Sequence, residues 1–148
     1  MTGWVPVAAG VGSGLAGGFY FAFSAVVIPA LRRRPAEEAT ATMVAINEAA
    51  VRAPFMVLFF GTAAACGATT VGALTDPPTD SMLRVAGSAA YLAGWASTLA
   101  VNVPLNNRLA RDGAVQWRDY QQSWARANLV RALLSIAGAA GLLLPTRP

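Results

Sequence analysis

The sequence predicts an all-α fold, namely an integral membrane four-helix transmembrane bundle. Two observations predict it. The 148 residues are 55% hydrophobic and only 12% charged, about half the charged fraction of a typical soluble domain. Four apolar spans, at residues 4–31, 54–74, 82–104 and 127–144, are each near or above the roughly 20 residues that cross a bilayer as a helix. We therefore expect a single four-helix membrane domain over residues 1–148.

The first span is expected to stay in the protein as a helix. No basic segment precedes it, and it is longer than the apolar region of a signal peptide. Gly10, Gly14 and Gly18 recur every four residues, a spacing that lets transmembrane helices approach closely. Three arginines, Arg32–Arg34, follow the span and should hold it in place.

A shorter helix is predicted between the first and second spans. Pro35 precedes Glu37 and Glu38, and a proline with acidic residues in the first turn is typical of a helix start. Met43 and Ile46 then begin an apolar face. We expect this helix to lie along the membrane interface or to fold back over the mouth of the bundle.

The second span contains Cys66, the chain's single cysteine. A lone cysteine in apolar surroundings forms no internal disulfide and acts as a small hydrophobe. The chain has no histidine, which excludes a His-ligated haem, a His-based metal site and any Ser–His or Cys–His pair within one chain. No metal site is expected.

The third and fourth spans carry the polar residues that indicate a site. Thr98, Asn102 and Asn106 are four residues apart and should face the bundle interior in one line. If residues 115–131 form one helix, five further residues share one face: Trp117, Tyr120, Trp124, Asn128 and Arg131. Polar groups that run into a membrane span are costly and by default indicate function.

Together with Asn47 and Arg52, these residues could line a pocket for a flat, oxygenated aromatic molecule. Rings would stack on the aromatic side chains, and amides and arginine would hold carbonyl or phenolate oxygens. Interfacial anchoring explains the aromatic residues better when they are taken alone, whereas a site is favoured for the asparagine–arginine set. Glu48 could pair with Arg131 or Arg52, or could accept a proton.

Arginine placement predicts the topology. The segments after the first and third spans are rich in arginine, while the loop of residues 75–81 carries Asp76 and Asp80. The positive-inside rule therefore places the two arginine-rich segments in the cytoplasm and both termini outside, in a bacterial plasma membrane. The net charge of +4 does not indicate nucleic-acid binding, because the arginines flank apolar spans and form no basic face.

The two halves of the chain are alike in plan, which suggests a parallel two-helix repeat. Each half has a span ending in a proline, a segment with an asparagine and then an arginine, and a second span. The residues are Pro29, Asn47 and Arg52 in the first half and Pro104, Asn128 and Arg131 in the second.

Four stretches make the chain resemble the anthrone oxygenase family over nearly its whole length. They are Gly17–Ser24, Met43–Asn47 with Arg52–Phe55, Asn102–Asn106 (Asn-Val-Pro-Leu-Asn), and the series Trp117, Tyr120, Trp124, Asn128 and Arg131. In the last series Ala127 and Leu129 flank Asn128, where many members have an aromatic residue and a histidine.

The resemblance implies a small membrane protein of four helices. Characterised members oxidise the central methylene of an anthrone to an anthraquinone with dioxygen, and no bound cofactor is established for that chemistry, so none is expected here. Carried over, the catalytic candidates are Asn102, Asn106, Asn128 and Arg131, which would stabilise the enolate oxygen. The substrate-binding candidates are Asn47, Arg52, Trp117, Tyr120 and Trp124.

Three functions remain open from the sequence. The leading interpretation is a membrane protein, anthrone-oxygenase-like, that binds or oxidises a hydrophobic aromatic or quinone-like small molecule at the cytoplasmic side. The alternative is a non-enzymatic membrane binding or accessory protein whose polar cluster is structural, and a small transporter is the third. The expected partners are the small molecule and the lipid bilayer, and assembly into a homo-oligomer stays an open alternative.

Overall fold

The structure is a computed structural model that describes residues 3–144, and among these residues every regular element is helical. The α-helices in chain order are α1 (Trp4–Ala22), α2 (Ile28–Leu31), α3 (Ala36–Ala50), α4 (Phe55–Thr75), α5 (Ser81–Ser97), α6 (Val103–Asp112) and α7 (Trp117–Leu143). The predicted all-α fold is confirmed. Both chain ends, which the arginine pattern predicts to be outside the cell, include residues that lie beyond this described range.

Two π-helical turns join α-helices into longer ones. The first π-turn, Phe23–Val27, connects α1 to α2, and the second π-turn, Thr98–Asn102, connects α5 to α6. A 3-10 turn then leads from α6 into α7, and it begins at Gly113, whose φ is +72°. Glycine adopts this backbone conformation without steric cost, and the chain reverses direction there.

The described helices pack as a four-helix bundle. α1 contacts α4 and α7 along its length, and α5 contacts the same two helices from the opposite side. Three continuous helical stretches are long and apolar enough to cross a membrane: Trp4–Leu31, Phe55–Thr75 and Ser81–Leu143. The last of these folds back on itself at Gly113, so it contributes both α5 and α7. This arrangement agrees with the membrane bundle that the sequence predicts.

Close contact between α5 and α7 depends on glycine. A Cβ atom added to Gly87 would lie 2.9 Å from the carbonyl oxygen of Gly138, so the two backbones touch. Gly10 faces α7 across a similarly narrow gap, a Cβ on Gly14 would make an ordinary contact with Ala139 at 3.7 Å, and a Cβ on Gly18 would meet nothing within 4 Å. Small residues therefore let α1 and α5 approach α7 closely, as the glycine spacing predicts. Gly18 does not take part in such a contact.

The helix α3 folds over one end of the bundle. It contacts α6, α7 and the 3-10 turn, and it buries Ala39, Thr40 and Met43. Ile46 packs on the same apolar cluster. Of the two positions expected for this helix, the one over the bundle mouth is observed.

The two π-turns have a common physical cause. A proline inside a helix clashes with the carbonyl group four residues earlier. That residue is Ala25 for Pro29 and Ala100 for Pro104, and both alanines lie inside a π-turn. The wider turn moves the carbonyl away from the ring, so each helix continues past its proline.

These turns support the proline correspondence in the repeat that the sequence suggests, whereas the predicted asparagine pair (Asn47 and Asn128) and arginine pair (Arg52 and Arg131) do not share the spacing of the turns. The first π-turn begins at Phe23 and the second at Thr98, a spacing of 75 residues. Between residues 12 and 33 of the first half, the same spacing relates six identical pairs: Gly12 and Gly87, Ser13 and Ser88, Ala25 and Ala100, Val26 and Val101, Pro29 and Pro104, and Arg33 and Arg108. Exchanging α1 with α5 and α4 with α7 keeps the same helices as neighbours, although α7 packs more extensively on α1 and α5 than α4 does.

Candidate functional site

A cavity lies beneath α3, at the end of the bundle where the π-turns are located. Its empty volume, including its opening, is about 530 Å³. Its polar lining comes from Tyr20, Asn47, Thr98, Asn106, Trp124 and Arg131. Most of the remaining lining is aromatic or aliphatic, and includes Phe19, Phe23, Phe55, Met56 and Val103. Such a lining suits a largely apolar ligand that carries a few polar atoms.

Arg131 is the cationic group of this cavity, and only 6% of the residue is exposed. Its Nε and one Nη donate hydrogen bonds to Asn128 Oδ1 at 3.1 and 2.9 Å. The other Nη donates to Thr98 Oγ1 at 3.3 Å. A guanidinium has five N–H donors, so two of them remain for a ligand.

Aromatic faces surround the same guanidinium. Its central carbon lies 4.1 Å from the centroid of the Tyr20 ring and 5.1 Å from that of Trp124. The described ion pairs join Arg34 to Glu38, Arg84 to Asp80 and Arg111 to Asp112, so Arg131 has no carboxylate partner among the described residues. A buried charge without a counter-ion is costly, and cation–π contacts offset only part of that cost.

Asn128 orients this cation from behind. Its amide nitrogen donates to the carbonyl oxygen of Tyr20 at 2.7 Å and to Ser24 Oγ at 2.8 Å. Both acceptors lie at or beside the first π-turn. With its nitrogen held there, the side-chain oxygen of Asn128 must face Arg131, and the two residues form one fixed unit.

A second polar group lies across the cavity, where Tyr120 Oη donates to Asn106 Oδ1 at 2.9 Å. This hydrogen bond fixes the amide of Asn106 and leaves its nitrogen available. The amide nitrogen of Asn47 and Nε1 of Trp124 are buried without a partner among the described residues. The unpaired groups around the cavity are therefore N–H donors, which would recognise a ligand through its oxygen atoms.

The aromatic side chains form two walls. Phe19 and Phe55 have ring centroids 4.7 Å apart, and Phe23 and Trp124 are separated by 5.6 Å. Trp117 and Tyr120 do not line the cavity. They continue the stack behind Trp124, with Tyr120 at 6.3 Å from it and Trp117 a further 5.8 Å on.

The structure brings together most of the residues that the sequence singled out. Asn47, Asn106, Trp124 and Arg131 line the cavity, Asn128 and Tyr120 hold two of these in position, and Trp117 supports the wall. Arg52 is exposed and does not line the cavity. Glu48 is exposed as well, and it forms no ion pair with Arg131 or Arg52 among the described residues.

Asn102 lies apart from the cavity lining. It is 1% exposed, and both polar atoms of its amide are buried without a partner among the described residues. The expected line of Thr98, Asn102 and Asn106 assumes a regular α-helix. The second π-turn inserts extra rotation, so that Val103 takes the place between Thr98 and Asn106 on the cavity wall.

Ten residues of the cavity lining were not predicted as site residues, among them Tyr20, Phe55 and Thr98. Tyr20 was expected to be a packing residue, Phe55 entered only through the family resemblance, and Thr98 only as part of the interior line. An aromatic residue one turn before a π-turn carries no sequence signal of its own. The position of Tyr20 over Arg131 becomes clear only from the packing of α1 on α7.

A second, outer cavity adjoins the first. Asn47 and Asn106 line both, and Glu48 lines the outer one. The two asparagines therefore separate the space around Arg131 from a more open space that contains a carboxylate. None of the side chains lining the inner cavity is a cysteine, aspartate or glutamate.

Comparison with known proteins identifies the family. The sequence model described as Anthrone oxygenase matches residues 55–141, more than half of the chain. The match includes α4 to α7 and most of the cavity's polar lining, while Tyr20 and Asn47 precede it. No curated protein and no solved structure matches the chain. The chain belongs to the anthrone oxygenase family.

Proposed function

We propose that the protein binds an anthrone-like aromatic ketone in the inner cavity and oxidises it to the quinone with dioxygen. One observation carries the proposal. The guanidinium of Arg131 is buried, is flanked by aromatic rings, and has no carboxylate partner among the described residues. Such a cation favours a ligand that acquires negative charge on oxygen. An anthrone does so when its central methylene loses a proton.

The chemistry balances without a further reactant. The enolate is electron-rich and gives electrons to dioxygen, which adds to the former methylene carbon. Loss of water from the resulting hydroperoxide forms the second carbonyl group, so one anthrone and one dioxygen yield one quinone and one water. The tasks left to the protein are to hold the ring system, stabilise the enolate oxygen and accept the proton.

The described side chains suit these tasks. The two free N–H groups of Arg131 can hold the enolate oxygen, and the walls made by Phe19, Phe55 and Trp124 can hold the rings. The proton would leave past Asn47 into the outer cavity, where Glu48 offers a carboxylate. The arginine-rich segments at this end of the bundle support a cytoplasmic position for both cavities.

The decisive experiment follows anthrone conversion by the purified protein in detergent under air. We expect quinone formation above the uncatalysed background, with one dioxygen consumed for each quinone. Arg131→Gln should reduce the turnover about 100-fold or more, the usual effect of removing one donor to an oxyanion. Arg118→Gln is the matched control, because Arg118 is exposed on the same helix, and it should retain wild-type turnover.

One observation favours a non-enzymatic binding protein as the second candidate. Asn128 and Thr98 already accept three hydrogen bonds from Arg131, so part of the polar cluster serves the fold. Binding of anthraquinone without conversion of anthrone above background, in a protein whose helicity is intact, would reject the oxygenase and establish the binding function. Equal turnover in wild-type protein and Arg131→Gln would reject the assigned site.

A further inference from the structure

A groove on the outside of the bundle lies between α2 and α7, and its empty volume, including its open side, is about 720 Å³. Ile28, Ala125 and Leu129 provide its apolar part, and Arg32 and Arg126 provide its positive charge. None of the residues that line the groove lines the inner cavity. The groove is therefore a separate feature of the surface.

The charges of the groove lie at one end. α1 and α7 run in opposite directions, since Gly10 contacts Leu143 and Gly17 contacts Ser135. Arg32 comes one helical turn after Ile28, and Arg126 comes three residues before Leu129. Both arginines are consequently displaced from the apolar part toward the same, arginine-rich end of the bundle.

The two arginines are also free to bind an anion. Nε of Arg32 donates to Gln121 Oε1 at 3.2 Å, which ties the end of α2 to α7 and leaves the terminal nitrogens available. Neither Arg32 nor Arg126 takes part in any ion pair among the described residues. The groove lining contains no acidic side chain.

The position of the groove matches the boundary of a bilayer. Arg32 directly follows the first apolar span, and Arg126 directly precedes the fourth. The apolar part then faces the hydrocarbon region, and the arginines face the headgroups. A single molecule of matching chemistry has an acyl chain and, at one end, a phosphate group.

We propose that this groove is a binding site for an anionic phospholipid. One acyl chain lies along Ala125 and Leu129, and the phosphate lies between Arg32 and Arg126. Basic pockets between transmembrane helices recognise lipid phosphates in this way, through charge and charge-assisted hydrogen bonds. The site is distinct from that of the proposed oxidation, because none of its groups lines the inner cavity; Ser24, which accepts a hydrogen bond from Asn128, is the residue that connects the two.

Native mass spectrometry of the detergent-solubilised protein tests the site with phosphatidylglycerol and with phosphatidylcholine of the same acyl chains. Wild-type protein should retain one phosphatidylglycerol, and a variant carrying Arg32→Gln and Arg126→Gln should bind it about 30-fold more weakly, from the attraction expected for two arginines. The matched control carries Arg111→Gln and Arg118→Gln, which remove the same charge from exposed positions nearby. It should bind like the wild type.

A second variant keeps the test valid if the first fails to fold. Ala125→Trp fills the groove, retains both arginines, and should also lose the bound lipid. Equal losses in the groove variant and in the control would overturn the proposal in favour of diffuse surface charge. Equal binding of phosphatidylcholine would overturn it as well, as would displacement of the lipid by an equal concentration of glycerol 3-phosphate, because the acyl chain would then add nothing.

Discussion

The first π-turn, Phe23–Val27, and the second, Thr98–Asn102, have the same length, and each ends two residues before a proline. Their side chains differ. Ser24 of the first turn accepts a hydrogen bond from Asn128, whereas Thr98 of the second accepts one from Arg131. The last position of the first turn is an apolar valine, and that of the second is an asparagine with no partner among the described residues. The two π-turns thus share a backbone conformation but differ in the hydrogen-bonding groups of their side chains.

The helix α7 connects the two turns. Asn128 and Arg131 are three residues apart and bonded to each other, and each contacts a different π-turn. The two π-turns have similar backbones. Through Asn128 and Arg131, α7 forms hydrogen bonds with side chains of both turns, and these bonds hold the guanidinium of Arg131 in place. The cavity therefore depends on polar residues that the second half of the chain supplies, and on helix packing to which both halves contribute.

The most damaging change to this arrangement is the loss of Asn128. Asn128→Leu removes every hydrogen bond between α7 and the first π-turn and takes two from Arg131. We expect the free energy of unfolding to fall by about 3 kcal/mol, because hydrogen bonds to a buried cation are lost. Denaturant-induced unfolding in detergent measures this. The exposed Asn107 provides the control, and Asn107→Leu should change stability little; equal losses would show that Asn128 does not bridge the turns.

The second prediction compares equivalent glycines of the two halves. Gly87→Ala should cost about 2 kcal/mol, since its Cβ would meet backbone atoms of Gly138 and Gly141 at 2.9 and 3.1 Å. Gly12→Ala meets the side chain of Thr62 instead, and this side chain can move, so the loss should be smaller.

The control for both changes is Gly61→Ala, whose Cβ would meet nothing within 4 Å. It should stabilise the helix by up to about 1 kcal/mol. Thermal unfolding in detergent ranks the three variants. A greater loss for Gly12→Ala than for Gly87→Ala would contradict the assigned contacts.

The third prediction exchanges the residue that distinguishes the two turns. Asn102→Val introduces the residue type found at the equivalent position of the first turn, Val27. Stability should rise by about 1 kcal/mol, because a buried amide without partners is removed. Unfolding measurements on Asn102→Val and on the exposed control Asn107→Val test this. A loss of stability in Asn102→Val would mean that its amide has a partner in the membrane.

The smallest effect is expected for Tyr120→Phe. The variant loses one hydrogen bond, to Asn106, and should lose about 0.5–1 kcal/mol of stability. The amide of Asn106 is then free to rotate, so the KM for anthrone should rise. Tyr91→Phe loses a comparable bond, to the carbonyl oxygen of Phe59, away from the cavity. If the KM for anthrone rises equally in Tyr120→Phe and Tyr91→Phe, Tyr120 does not act by holding the amide of Asn106.

Sequence periodicity predicted α7 well, because α7 is a regular helix. Trp117, Tyr120, Trp124, Asn128 and Arg131 lie on one buried face, and each is at most 6% exposed. Four of these residues line the cavity or hold a residue that lines it. The prediction required only the α-helical repeat and the cost of polar groups in a membrane span.

The same periodicity correctly predicted that Asn102 faces the bundle interior, but it also placed Asn102 on the cavity wall, where it does not lie. A repeat of 3.6 residues puts Asn102 between Thr98 and Asn106, but the second π-turn has a longer repeat and brings Val103 there instead. The proline at position 104 is predicted to close the third apolar span, and the helix itself continues past it to Asp112. A proline indicates that the helix must adapt, but the sequence does not tell whether the helix bends, ends or widens.

The equivalence of Val27 and Asn102 has an evolutionary consequence. A chain that arises by duplicating a two-helix unit begins with two identical helix ends, and both can maintain the bundle. One copy can then accumulate polar substitutions, such as Asn102, at an energetic cost that the apolar copy does not share. Two turns with the same backbone thus give natural selection a redundant scaffold, on which one turn can acquire a new chemical specificity while the packing of the other keeps the protein folded.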